Sequence, residues 1–414
     1  MIAAQGFLAL LGYSLNWFLT RFLSIEGYGQ LRCVISLTGI LVIVTHPGLS
    51  AAIFKSISEK HIGFVSRAYR LTVKYSLFGS LILIIISCYY FFISLDSSTG
   101  WIIFLIAFFF PFFYFDRWNM VYLARGLFAK ARLFEMTIKS ISLIAAGIAA
   151  AFTGNVLVTT AGMYLSYVLL NPVFSAKSLK ILQHGKDECQ YNPKYLAYAG
   201  RITRYSILPS ISKHLDKILL AGLLDFKTLS VYFIATIIPV YLLNSVKSAT
   251  SVPLQKWLSF GRKEGLYIFK KNQKWMLLVS ILVTAGLYIT LPVVLGIFGE
   301  EYGRASGYAK ILSLSFLFNP YSTMFFSMMK YMDDERFHGR ALGIMSFSKT
   351  IAYLVVIPFA GVMGLVWTLV LAEFVWFCVA VYRQRNIESI WATSEKKRGL
   401  VGAAEVELNV DPEG

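Results

Sequence analysis

Charge is what this chain lacks most. Asp, Glu, Lys and Arg together make up 15% of its 414 residues, against roughly a quarter in soluble domains. The stretch from Ser140 to Ala176 holds none at all, and its only interruption is a bare Thr153-Gly154-Asn155 turn between two apolar runs. So little charge, with 57% hydrophobic residues and a mean hydropathy of +0.63, excludes a soluble globular domain. Charge-poor segments recur near 3–22, 31–53, 75–95, 101–122, 136–153, 156–176, 205–224, 229–250, 275–297, 308–329, 341–360 and 363–382. A helix needs about 20 residues to cross the hydrocarbon core. The runs lack the strict alternation of barrel strands, and lipid leaves no partner for an unpaired backbone group, so helices are the expected form. The fold class expected is an all-α polytopic membrane protein of about twelve spans.

Acidic residues are scarcer still, 22 against 39 Lys and Arg. The excess of +17 does not form one patch of the kind that binds nucleic acid, and no nucleic-acid partner is expected. The basic residues cluster as Lys55 to Lys74, Arg125 to Lys139, Lys177 to Arg204, Lys247 to Lys274, Lys330 to Arg340 and Arg383 to Arg398. The alternate turns hold or adjoin only Arg21, Arg32, Lys227, Arg304 and Lys310. Positive charge concentrated on one side of every second span places that side, and both termini, in the cytoplasm. Met1 leads into the first span with neither a basic segment nor a cleavage site, so that helix is expected to stay.

Other absences narrow the chemistry. The four cysteines, Cys33, Cys88, Cys189 and Cys378, are isolated, which argues against a disulfide framework or metal site. There is no phosphate-cradling Gly-x4-Gly-Lys-Ser/Thr loop, no His-Glu-x2-His and no Gly-x-Ser-x-Gly. No enzymatic activity and no cofactor is expected, and uphill transport would have to draw on an ion gradient or on the substrate's own. The histidines are scattered; His46, beside Pro47-Gly48, reads either as a proton relay or as a donor to a carbonyl freed at a kink.

The chain divides into an N-terminal six-helix bundle over 1–176, a cytoplasmic linker over 177–200, a C-terminal six-helix bundle over 201–384 and a disordered cytoplasmic tail over 385–414. The turn Phe22 to Leu31 after the first span is matched in position by Leu223 to Tyr232 after the seventh, which suggests an internal duplication.

Charges inside spans are costly unless they face a cavity or a partner. Lys213, Asp216 and Lys217 lie at i, i+3 and i+4 and share one helix face. Asp116 and Arg117 are adjacent and diverge by about 100°, so each needs a partner elsewhere or must reach the interface. Arg21 and Arg32 flank the first turn as interface anchors or lumen groups. Lys247, Lys330 and Lys349 read as cytoplasmic helix ends, and Glu373 as a group packed against a neighbouring helix. The candidate substrate pathway comprises Arg21, Asp116, Arg117, Arg204, Lys213, Asp216, Lys217 and Lys247. Its cationic excess suits a phosphate or pyrophosphate.

Several segments carry a resemblance. Leu19-Thr-Arg-Phe-Leu-Ser-Ile-Glu-Gly-Tyr-Gly-Gln30, followed by Pro47-Gly48-Leu-Ser50 and a basic loop near Lys55, is similar to the first-turn signature of polysaccharide-export proteins. His214-Leu-Asp216-Lys-Ile-Leu-Leu-Ala-Gly222 resembles their seventh-helix Asp-Arg-x-Leu-x-Gly pattern, with Lys217 where Arg is usual and one extra residue before Gly222. Phe298-Gly-Glu-Glu-Tyr302 resembles their turn after the ninth helix. The family resembled is the O-antigen flippases, Wzx type, of the multidrug/oligosaccharidyl-lipid/polysaccharide exporter superfamily. The resemblance implies two six-helix bundles forming a V in a bacterial inner membrane, passing a polyprenyl pyrophosphate-linked oligosaccharide repeat unit for O-antigen or other surface polysaccharide. It implies lipid-linked oligosaccharide and membrane lipid as partners, with a polysaccharide polymerase and chain-length proteins as further ones. A small-molecule or drug antiporter of the same superfamily and a lipid-linked cell-wall precursor flippase are the alternatives.

Overall fold

In a computed structural model, which describes the backbone of residues 2–94, 96–183, 192–259, 262–331 and 335–408, those segments are helices joined by short turns. The first half comprises α1 (Ile2–Phe22), α2 (Ile25–Leu41), α3 (Gly48–Ser58), α4 (Gly63–Phe92), α5 (Ser97–Phe113), α6 (Trp118–Ala124), α7 (Phe128–Thr153) and α8 (Val156–Gln183). The second comprises α9 (Lys194–Leu223), α10 (Phe226–Ser259), α11 (Arg262–Gly296), α12 (Gly303–Ser313), α13 (Asn319–Tyr331) and α14 (Glu335–Leu408). Eight stretches of the described residues are long and apolar enough to cross a membrane by themselves, and the protein is a multi-pass membrane protein.

The last of these, Gly339–Ile387, is 49 residues long. A straight helix of that length would span more than twice the hydrocarbon core. Gly361 prevents it, with φ 57° and ψ −145° inside α14, a left-handed conformation that glycine adopts without strain. The chain folds back there: Lys349 and Glu373, 24 positions apart and therefore about 36 Å apart along a straight helix, form an ion pair at 3.2 Å. With the two legs of α14 counted separately, and with α1, α9 and the α12–α13 stretch, the passes among the described residues number about twelve.

Local chemistry sets the breaks. Gly154, at φ 58°, ends α7 by donating its N–H to Ala150 O at 2.8 Å, and Asn155 Oδ1 then accepts Leu157 N at 2.8 Å to begin α8. In the second pass, α2 tightens into a 3-10 turn at Val42–Thr45 and His46 takes φ 61° before Pro47 starts α3. In the fourth, Pro111 removes a backbone donor and the chain makes a 3-10 turn at Tyr114–Arg117 before α6.

Residues 177–183 continue α8 and 194–200 begin α9, so much of the linker is helix. The backbone of α14 is helical to Leu408.

The halves meet along α1–α10, α2–α9, α2–α10 and α3–α9. The two matched turns pack on each other. Ser24 Oγ accepts Gly27 N at 3.0 Å and Asp225 Oδ1 accepts Thr228 N at 2.5 Å, so each caps the second helix of its half in the same way. Ser230 Oγ donates to Ile25 O across the contact. Gly29 lies so near the other half that a Cβ there would sit 2.0 Å from Phe226 O. Toward the opposite end, a Cβ on Gly48 would sit 2.0 Å from Ala199 O, and Gly48 N donates to Thr203 Oγ1 at 3.0 Å.

Candidate functional site

Three of the candidate pathway residues converge. Lys213, Asp216 and Lys217 on α9 line a cavity of about 660 Å³, enclosed by α9, α10, α12, α13 and both legs of α14. Asp216 is 4% exposed. Its carboxylate accepts Lys217 Nζ at 2.9 Å and the Tyr232 hydroxyl, from α10, at 2.7 Å. Lys217 Nζ also donates to Lys213 O at 3.1 Å, which holds the ammonium against the helix face while the Lys213 side chain is exposed.

Opposite them stands a second ion pair that sequence spacing did not connect. Lys349 Nζ lies 3.2 Å from Glu373 Oε1, and Asn319 Nδ2 donates to Glu373 Oε2 at 2.7 Å. Thr323 Oγ1 in turn donates to Asn319 Oδ1 at 3.0 Å. Lys349 was read as a helix end and Glu373 as a packed group; Glu373 does pack against neighbouring helices, but both face the cavity. The signal available in sequence was Glu373 standing alone in an otherwise charge-free span. Tyr232, Phe233, Tyr241, Tyr353 and Trp376 supply aromatic wall. Three ammonium groups and two carboxylates therefore face one space.

The other candidates lie elsewhere. Arg21 Nη2 donates to Ile297 O at 2.7 Å, as Trp17 Nε1 does at 3.2 Å, tying the end of α1 to the turn after α11. Arg117 is 4% exposed; Nη1 bonds the Ser50 hydroxyl and Nη2 donates to Thr45 O at 3.1 Å. That carbonyl is one freed by the break in the second pass, so the arginine takes the part considered for His46. His46 Nδ1 instead meets Thr203 Oγ1 of the second half at 2.9 Å. Asp116 is exposed and diverges from Arg117 as adjacent positions must; Arg204 is exposed on α9. The side chain of Lys247 lies outside the described residues, as does Cys189. Cys33, Cys88 and Cys378 are free thiols, and among the described residues no cluster of His, Cys, Asp and Glu could hold a metal.

At the basic end, Glu59 at the close of α3 accepts Tyr195 Oη at 2.7 Å and Lys194 Nζ at 2.9 Å from the start of α9. The Tyr195 hydrogen bond first, then Lys194, holds the Glu59 carboxyl below the usual range, and Glu59 in turn raises Lys194.

Two helical halves joined edge to edge, with ion pairs facing a cavity of ligand size, define a polytopic all-α membrane protein. The chain belongs to the polysaccharide biosynthesis protein family, whose model matches residues 1–254. Comparison with curated protein sequences returns no match. Among solved structures the fold is similar to the lipid II flippase MurJ in an inward closed conformation, with TM-score 0.74 and 14% identity over 100% of this chain and 93% of that one. It is also similar to an inward-facing multidrug resistance MATE family transporter of the MOP superfamily, with TM-score 0.62 and 16% identity over 92% and 96%. A MATE structure in complex with MaD5 gives TM-score 0.65 and 15% identity over 94% of each chain.

Proposed function

We propose that the protein is a flippase that carries a polyprenyl pyrophosphate-linked oligosaccharide repeat unit across a bacterial inner membrane, with both termini in the cytoplasm, for O-antigen or another surface polysaccharide. The observation that carries the reading is the second-half cavity. Three ammonium groups against two carboxylates leave it cationic, and a phosphate leaving water needs compensating charge. Its aromatic wall offers stacking faces to sugar rings. Membership of a polysaccharide biosynthesis family and a fold shared with a lipid II flippase support the same reading. The lipid tail stays in the bilayer while the polar head crosses.

Complementation of a strain lacking its flippase tests this, scored by surface polysaccharide and by the leaflet in which the lipid-linked intermediate accumulates. The wild-type chain restores surface polysaccharide, and the pair Lys213→Gln with Lys349→Gln leaves the intermediate on the cytoplasmic leaflet. If the purified protein exchanges cationic dyes for protons and has no effect on the glycolipid, the antiporter alternative replaces this one.

A further inference from the structure

The third pass of each half carries cations that no carboxylate answers. On α4, Arg70 and Lys74 are exposed and stand four positions apart, so they share one helix face. On α11, Lys271 and Lys274 are exposed and stand three positions apart, again on one face. Among the described residues none of the four has a carboxylate partner. Other cations at the basic end do have one: Glu59 lies against Lys55 and Lys194, and Glu135 against Arg132 and Lys139. No acidic residue occurs anywhere on α4.

Depth identifies the missing anion. The face that carries each cation pair continues as an exposed apolar stripe, through Leu77, Phe78, Leu81 and Ile85 on α4 and through Leu278, Ile281 and Leu282 on α11. These side chains turn out of the bundle, where acyl chains cover them. Lys74 precedes Phe92, the last residue of α4, by 18 positions, about 27 Å along the axis. Lys274 precedes Gly296, the last of α11, by 22 positions, about 33 Å. Each lysine therefore stands at the edge of a hydrocarbon core about 30 Å thick. Arg70 and Lys271 lie about 6 Å and 4.5 Å further along, in the headgroup layer, and exposed Trp275 and Tyr267 mark the same level on α11. The anions abundant in that layer are lipid phosphates.

We propose that α4 and α11 each hold one anionic phospholipid of the leaflet at the basic end, its phosphodiester on the cation pair and its acyl chains along the stripe beneath. Arg70 offers a planar fork to the phosphate and the lysines offer point charges. The two places correspond, since each is the third pass of its half. Neither helix lines the second-half cavity, so these lipids are fixed companions of the fold and the proposal does not depend on what the cavity carries.

The test uses the full-length protein in nanodiscs of phosphatidylcholine with a minor fraction of phosphatidylglycerol of the same acyl chains, and native mass spectrometry reads the lipids retained on release. Wild type retains two phosphatidylglycerol molecules. Arg70→Gln with Lys74→Gln retains one, Lys271→Gln with Lys274→Gln retains one, and the fourfold variant retains none. In a titration with phosphatidylglycerol, each cation removed raises the fraction needed to fill its site about fivefold. Arg70→Lys with Lys74→Arg keeps both lipids. Arg132→Gln with Lys139→Gln, which removes the same charge from the Glu135 cluster, also keeps both. Equal retention of phosphatidylcholine and phosphatidylglycerol by wild type overturns the proposal. Loss of lipid in the Arg132 and Lys139 variant equal to that in the Arg70 and Lys74 variant overturns it too, because a diffuse field would then suffice. Displacement of the lipid by glycerol phosphate, which has the headgroup without the chains, removes the stripe from the site and has the same force. Phosphatidylglycerol raises the melting temperature of wild type above its value in pure phosphatidylcholine, and an equal rise in the fourfold variant is a further overturning result.

Discussion

The two halves bury charge differently. In the first, Arg117 is held by the Ser50 hydroxyl and by the Thr45 carbonyl that the 3-10 turn releases. In the second, Asp216 meets Lys217 and Glu373 meets Lys349, and both pairs face a cavity. An arginine bonded to backbone stitches two breaks together, one in the second pass and one in the fourth, and its partners cannot leave. An ion pair beside a cavity can trade one partner for an incoming charge of the same sign. The difference separates a part that must stay fixed from a part that can respond to a ligand.

The largest effect should come from Asp216→Ala. Removing one member of a buried pair leaves the Lys217 ammonium uncompensated, at about 3–5 kcal/mol, and thermal unfolding of the purified protein measures it. Export should fall as well, while membrane insertion persists on the strength of the other apolar passes. Wild-type stability and export at matched protein level would remove Asp216 from the responsive part.

Arg117→Gln comes next. It strands the Thr45 carbonyl, at about 1–3 kcal/mol for a buried unsatisfied group, and Arg117→Lys should recover part of the loss because the brace requires a donor. Equal loss in both variants would show that the planar fork, and not donation, holds the two breaks.

Smaller again is the Lys349–Glu373 pair, whose side chains are 18% and 19% exposed. Either Lys349→Gln or Glu373→Gln alone should lower stability by about 1–2 kcal/mol, less than a fully buried pair because water reaches both groups. The exchange Lys349→Glu with Glu373→Lys should recover most of it. No recovery in the exchanged pair would mean that Asn319, which donates to Glu373, fixes the polarity of the site.

Glu59→Gln should have the smallest effect, since the bond to Lys194 is open to solvent. Its pH dependence has a definite sign. The carboxyl is depressed in the folded state, so its contribution is present above the ordinary Glu range and is lost only as pH falls through the lower folded value. Lys194 is raised, so its contribution is complete below the ordinary Lys range and is lost as pH rises through the higher folded value. The stability difference between wild type and Glu59→Gln should therefore be flat between about pH 5.5 and 9.5 in thermal unfolding, and a transition inside that interval would place control in another group.

Much of the architecture was legible because a bilayer imposes one length on every pass. The Thr153-Gly154-Asn155 turn and the twelve passes follow from runs of apolar residues, and the convergence of Lys213, Asp216 and Lys217 follows from helical spacing alone. The Lys349–Glu373 pair was not legible: it depends on the chain doubling back at Gly361, and one glycine among 30 does not announce a left-handed backbone. Arg117 and Arg32 were visible as intramembrane charges, but which carbonyl, ring or amide surrounds them depends on packing between helices far apart in sequence.

Gly29 and Gly48 press bare backbone against the other half, at Phe226 and Ala199. At each point a hydroxyl of the second half also bonds the first, Ser230 Oγ donating to Ile25 O and Thr203 Oγ1 accepting from Gly48 N, so each close approach is pinned as well as tight. The two points sit toward opposite ends of the α2–α3 pass and define a line along which the halves touch most closely. A methyl group at either point would lie 2.0 Å from a carbonyl oxygen of the other half, so one added carbon at Gly29 or Gly48 would force the seam itself open.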